Sequence, residues 1–303
     1  MWRNAIVSLF TLVVCSSASA ANLVQLVKAK IAAGDVASGI AAAEDYKRDT
    51  GVDAEYLNAV GWIARGAQLL QKPDLADRYV AELHKQIPEE KDGLIVPFGA
   101  AIEVEGRLIL GRQGRGPALR YFHNALAQAK DPALRSRIQK NINILTMEGS
   151  VAPPLDMSNY VGAAPALSKG APNGKVTLLF LWAQGCGDCK AQSVSLAHVW
   201  QRYRSKNLAL IAPTRLYGTV DEKPATPVEE KERIAKVWGE VYSGLDGVTA
   251  PIDTAGHIAY GASATPTFVL IDRKGLVRLY TPTRLSEEEL SRRIEELLAE
   301  PEV

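Results

Sequence analysis

The stretch "LLFLWAQGCGDCKAQ" spans residues 178–192 and holds two of the three cysteines of a 303-residue chain. An apolar run ends in a short turn, and Cys186 and Cys189 follow three positions apart at the start of a helical pattern. A cysteine in the first turn of a helix meets unpaired backbone N–H groups and the positive end of the macrodipole, both of which favour thiolate over thiol. Three residues later on a helix, Cys189 lies on nearly the same face with its sulfur further inside. One sulfur is then a nucleophile and the other a resolving thiol. The matching chemistry is thiol–disulfide exchange, in which Cys186 attacks a partner disulfide and Cys189 releases the reduced partner. It needs no metal and no organic cofactor.

Working outward, "KVTLLFLW" (175–182) reads as a buried strand and residues 186–204 as a helix. "LALIA" (208–212) is a second strand, and "FVLID" (268–272) and "LVRLY" (276–280) form a hairpin through Arg273-Lys274-Gly275. Thr226-Pro227-Val228-Glu229 and Ser286-Glu287-Glu288-Glu289 carry capping-box patterns, so a helix is expected from Thr226 to about Tyr242 and another over 286–300. That closing segment sets charges around Leu290, Ile294, Leu297 and Leu298, as an ordinary amphipathic helix does. Strands alternate with helices and a hairpin precedes the last helix, which predicts an α/β fold with a mixed sheet.

Three segments, "LLFLWAQGCGDCK", "YGASATPTFVLIDRKGLVRLY" (260–280) and "APPLDMSNYVG" (152–162), resemble the thioredoxin superfamily, and most closely its exported TlpA/ResA-like thiol–disulfide oxidoreductases. The resemblance covers roughly the second half of the chain. It implies a cis Pro266 facing the cysteine pair and a substrate contact at Thr265. It also implies that Trp182, the tryptophan just before the active-site loop, is a substrate-binding residue alongside Thr265 and Pro266. An X-Pro bond is the one place where a cis peptide is cheap, and a proline leaves its neighbour's backbone free to pair with a bound chain. The resemblance further implies protein substrates carrying disulfides or thiols, a membrane electron donor and a reductase direction. Two features depart from the pattern. Phe180 stands where thioredoxins carry a buried aspartate, and Gln192 where ResA-like proteins carry a glutamate, so neither acid is there to move a proton for Cys189. Within the turn, Gly185 and Asp188 replace the usual Trp and Pro. Asp188 beside Gly187 opposes thiolate formation while Lys190 favours it; alternatively Asp188 is simply a first-turn helix residue suited to the dipole.

The first half has a different texture. Residues 21–148 are rich in Ala, Leu, Arg and Glu with apolar residues at helical spacing, and breaks recur at Gly34-Asp35, Lys72-Pro73-Asp74 and Gly114–Pro117. Aligning Ala37, Ala76 and Ala118 gives an approximate repeat of helix pairs, compatible with a tetratricopeptide-like array or an irregular bundle. Helix-pair arrays present concave surfaces, so a protein-binding role is expected of this half. Residues 149–174, rich in Pro, Gly, Ser and Ala, read as a linker and lead-in to a domain at 175–303. The expected fold class is therefore α + α/β: an all-helical repeat-like domain followed by a thioredoxin-like domain with a mixed sheet.

Residues 1–20 read as a secretory signal peptide cleaved after Ala20, which implies export, most simply to a periplasm. Lipidation of Cys15 is disfavoured by Val14 before it. Lysine and arginine (35) nearly balance aspartate and glutamate (34) with no long basic run, which argues against nucleic acid. His84, His123, His198 and His257 lack metal-ligand spacing. A competing reading makes the protein a binding module, either a Cu(I) carrier using Cys186, Cys189 and His257 or a structural thioredoxin fold. The loop "RLYGTVDEKPATP" (215–227) is either a groove-shaping insertion or a solvated connection.

Overall fold

Among the described residues of the first half there are seven helices: α1 (Leu23–Ala32), α2 (Val36–Thr50), α3 (Ala54–Leu69), α4 (Pro73–Gln86), α5 (Ile95–Gln113), α6 (Arg115–Gln128) and α7 (Pro132–Thr146). The computed structural model describes residues 22–165 and 174–301, so Cys15, the predicted cleavage after Ala20 and the end of the Pro/Gly-rich segment lie outside the described residues. Asn22, Asp35, Asp53 and Asp131 each cap a helix by accepting a backbone N–H. The three breaks read in the sequence are the turns inside the pairs α1–α2, α3–α4 and α5–α6. Each helix packs on the next, and α1, α3, α5 and α7 pack on one another in series. Gly106 makes one of these contacts possible, because a Cβ there would fall inside the ring of Phe122 on α6. No described helix is long and apolar enough to cross a membrane.

The second half is an α/β fold. Its main sheet runs β1 (Tyr160–Gly162), β6 (Thr249–Pro251), β3 (Leu208–Ile211), β2 (Val176–Leu181), β7 (Thr267–Ile271) and β8 (Val277–Thr281) in spatial order. β3 is parallel to β2 and β6, while β1, β7 and β8 run antiparallel to their neighbours, so the sheet is mixed. Along β2, Val176, Leu178 and Phe180 enter one core and Leu179 and Leu181 the other, the period-two alternation of a strand buried on both faces. Three helices close the first face: α8 (Gly187–Tyr203), α9 (Pro227–Val241) and α11 (Glu287–Leu298). The short α10 (Thr254–Ala259) leads into Tyr260, which packs on the other face with Met147, Leu155 and Met157.

Thr226 forms the complete capping box on α9, whereas Ser286 forms only half of one. The carboxylate of Glu289 turns to Arg292 and Arg293 instead.

The described part of the Pro/Gly-rich segment, residues 149–165, is tied to the sheet at both edges. Gly149 and Ala152 donate to Val277 and Gly275 at the β8 edge, Val277 donates back to Ser150, and the chain reaches the opposite edge to pair as β1. Against this frame α7 docks directly. Asn143 Nδ2 donates to the Ala259 carbonyl at 2.9 Å, and the Lys140 backbone lies so close to Gly261 that any Cβ there would collide with it. Gly261 also has φ +60°, a second reason for glycine at this seam.

Candidate active site

β2 delivers the chain to the turn at 183–186, and α8 starts at once. Cys186 is the N-cap of α8, its sulfur accepting the Cys189 N–H at 3.0 Å. The two cysteines form a disulfide with Cα atoms 5.2 Å apart. Their burial is unequal: Cys189 is fully buried, whereas Cys186 is partly open. The capping contact places an N–H donor on the sulfur that needs one as a thiolate, and the helix dipole adds to it.

Opposite the sulfurs, Thr265–Pro266 is a cis peptide at the head of β7. The Thr265 carbonyl lies 3.3 Å from Cys186 Sγ, a contact that a reduced thiol can turn into a hydrogen bond. β7 begins its ladder with Thr267 opposite Leu181, so Thr265 stands just outside the sheet. The structure therefore brings Cys186, Cys189, Thr265 and Pro266 together.

Trp182 is placed elsewhere than a substrate-contacting role requires. It is fully buried, donates its indole N–H to the Ala212 carbonyl at 3.0 Å and packs on Trp238 and Tyr242. Trp182 supports the turn from beneath and has no surface to offer a partner.

Gly187 and Asp188 are exposed in the first turn of α8, and Asp188 lies 3.8 Å from Arg284. Lys190 lines a pocket together with Gln184 and Gly185. The two departures from the redox pattern have structural uses. Phe180 packs between Tyr242 and Phe268, and Gln192 exchanges hydrogen bonds with the backbone of Leu285, tying α8 to the chain before α11.

The 215–227 loop is anchored by a residue the sequence reading passed over. Buried Glu230 on α9 accepts the N–H groups of Tyr217 and Gly218 at 2.7 and 2.8 Å and the Gln184 amide at 3.0 Å. One carboxylate thus holds the loop to the turn that carries Cys186. Within the loop, β4 (Thr219–Val220) and β5 (Lys223–Pro224) form a small hairpin whose turn residues Asp221 and Glu222 both have positive φ. Glu230→Ala leaves these donors without their acceptor and is expected to destabilise the protein by about 1.5–3 kcal/mol. Hydrogen exchange should then show the Tyr217 and Gly218 amides opening faster than those of α8; unchanged exchange would contradict the anchoring.

His257 is fully buried and edge-on to Tyr217, and neither ring nitrogen has a hydrogen-bond partner of good geometry among the described residues, the Trp182 backbone being the nearest polar influence. No group of three or more His, Cys, Asp or Glu side chains among the described residues is arranged to hold a metal. Burial, and then the charge of Arg215, push the imidazole down to about 3. The unfolded ring takes up its proton near 6.5, so between those values the unfolded chain binds more protons and stability falls as pH drops. His257→Phe is expected to flatten the melting temperature between pH 6.5 and 4.5. A wild-type curve already flat there would remove the basis for this.

No protein-family model matches the chain, and no curated protein matches it. Solved structures do. A thiol-disulfide isomerase from Corynebacterium glutamicum is 20% identical with a TM-score of 0.39, and the match covers 50% of this chain and 98% of that one. The thioredoxin domain of a thiol-disulfide oxidoreductase from Bacteroides vulgatus is 15% identical with a TM-score of 0.36, covering 50% and 97%. A secreted disulfide oxidoreductase from Mycobacterium tuberculosis, described as homologous to E. coli DsbE, is 21% identical with a TM-score of 0.32, covering 41% and 84%.

Proposed function

We propose that the protein is an exported thiol–disulfide oxidoreductase that acts on protein substrates, in the reductase direction. The observation that carries this reading is the asymmetry of the cysteine pair: a partly open Cys186 sulfur capping a helix beside Thr265, backed by a fully buried Cys189. In the reduced protein the Cys186 thiolate attacks one sulfur of a substrate disulfide. That bond breaks, a mixed disulfide forms, and the other substrate sulfur leaves as a thiolate. Cys189 then attacks Cys186, freeing the second substrate thiol and leaving the protein oxidised as it stands in this structure. A membrane dithiol donor returns two electrons and completes the cycle. With neither acid of the redox pattern in place, Cys189 gives up its proton to water, to Asp188 or to a group outside the motif. Thr265 and Pro266 face the incoming chain, Gly187, Asp188 and Lys190 tune the thiolate, and residues 21–148 orient a protein partner. Export is supported by the signal-like residues 1–20.

The test is the equilibrium reduction potential of the Cys186–Cys189 couple, titrated against dithiothreitol and glutathione. A value near roughly −270 mV supports a reductase, and one toward roughly −120 mV makes the protein a dithiol oxidant. If no two-electron couple appears, the exchange reading fails and the cysteines belong to a binding module.

A further inference from the structure

A cavity of about 370 Å³ opens where the helical half meets the active-site loops, with Thr265 on one wall and Arg65, Glu103, Arg137 and Lys140 on the other. Arg215 joins it from the sheet side. The charges do not balance. Glu103, only 3% exposed, is shared by Arg137 at 2.8 Å, Lys140 at 3.0 Å and Arg107 at 3.2 Å. Arg65 stacks 4.6 Å over Trp62 and has no carboxylate within ion-pair distance among the described residues. Arg215 is only 9% exposed, stacks 4.5 Å over Tyr217, has an Nε without a hydrogen-bond partner and likewise meets no carboxylate among the described residues.

A buried guanidinium left unpaired is costly, and so is a cluster of cations sharing one anion. Stability alone does not account for such an arrangement, since apolar residues of like volume would cost less. An anion entering the cavity would offset the excess, and the planar donor fork of arginine suits a carboxylate. Position supplies the second constraint. The cavity begins at Thr265, whose carbonyl is 3.3 Å from the sulfur of Cys186, so whatever fills it stands next to a substrate disulfide.

We propose that this cavity is a carboxylate subsite, and that the preferred substrates are disulfides with an acidic group close to the reacting sulfur. This rests on the disulfide-exchange reading and narrows its substrate class. A carboxylate tethered within a few bonds of the disulfide enters between Arg215 and Arg65 while the nearer substrate sulfur meets Cys186. The exchange step is the one written above; the subsite adds orientation and no new bond.

The experiment compares dithiol-driven reduction of three small disulfides by the full chain: anionic 3,3′-dithiodipropionate, neutral hydroxyethyl disulfide and cationic cystamine. Each rate is divided by the uncatalysed rate with dithiothreitol, which removes intrinsic differences among the disulfides. The normalised kcat/KM of the anionic substrate is expected to exceed that of the neutral one by about tenfold, the worth of one hydrogen-bonded charge pair, with cystamine lowest. R215Q and R65Q should each shrink that ratio severalfold, and the wild-type comparison stands without them if either variant folds poorly. A parallel arm uses oxidised peptides with glutamate or glutamine flanking the cysteine. Preference for the glutamate peptide assigns the subsite to acidic polypeptides, whereas preference confined to dithiodipropionate assigns it to small dicarboxylic disulfides. Equal normalised rates for anionic and neutral disulfides overturn the subsite and leave the exchange function standing. No reduction of any disulfide overturns both.

Discussion

Cys189→Ser is expected to stall the protein on its substrate, accumulating a mixed disulfide through Cys186 after a single turnover, while Cys186→Ser is expected to lose activity by on the order of 10³-fold or more, as removal of a nucleophile does. The two substitutions differ because the sulfurs occupy different environments. Cys186 is reachable from solvent and takes the Cys189 N–H, whereas Cys189 is fully buried and can meet only the sulfur of Cys186. Mass spectrometry of the trapped adduct checks the first half. Equal labelling of both thiols by iodoacetamide in the reduced wild type, or a trap that forms with the Cys186→Ser protein, would reverse the assignment.

Glu103→Gln is expected to be the most destabilising single change in the helical half. Burial alone pushes the Glu103 carboxyl up. Lys140, Arg137, Arg65 and Arg107 overcome that and hold it far below the ordinary carboxylate range. The carboxylate is thus ionised at any working pH, and removing its charge leaves those cations around a neutral amide in a buried setting. The expected loss is about 3–5 kcal/mol, or a melting transition about 10 °C lower. The sign with pH follows from the same cause. The carboxyl is harder to protonate folded than unfolded, so its contribution is complete above the ordinary value near 4.5 and fades as pH falls below it. Calorimetry of both proteins from pH 7 to 3 should show a shallower acid limb in the variant. Parallel curves offset by less than 1 kcal/mol would mean that the cluster is solvated and the argument for its strength is wrong.

Much of this was legible in the chain. The run 178–192 announces strand, turn and helix because its apolar block is followed by two cysteines and a helical pattern, and "FVLIDRKGLVRLY" announces a hairpin because its alternating faces close on Lys274-Gly275. The strands β1 and β6 were not legible. Each is three residues long, and Thr249-Ala250-Pro251 has neither length nor alternation; pairing with β3 and β1 makes it a strand. The crossing of the sheet by residues 149–162 was hidden for a similar reason, since proline and glycine signal irregular backbone without saying where its hydrogen bonds go. The cavity was beyond reach, because Arg65, Glu103, Lys140 and Arg215 come from four separate elements or loops and share no spacing. One sign of it was on the page: in "AAIEVEGRLIL" (100–110) Glu103 sits in a mostly apolar helix segment, and a buried carboxylate requires a cationic partner. Glu230 gave no such sign among the other charges of α9.

The close seating of Gly261 against the backbone of α7 has a bearing on the order in which the site is completed during synthesis. The helices leave the ribosome first, then both cysteines, and only later residues 261–265 and the Leu285 backbone that Gln192 holds. A nascent chain therefore carries its reactive thiols for many tens of residues before the wall opposite them exists. Synthesis runs at roughly 5–20 residues per second, so that interval is several seconds long. During it the chain already holds the α7 residues on which the 261–265 loop comes to rest.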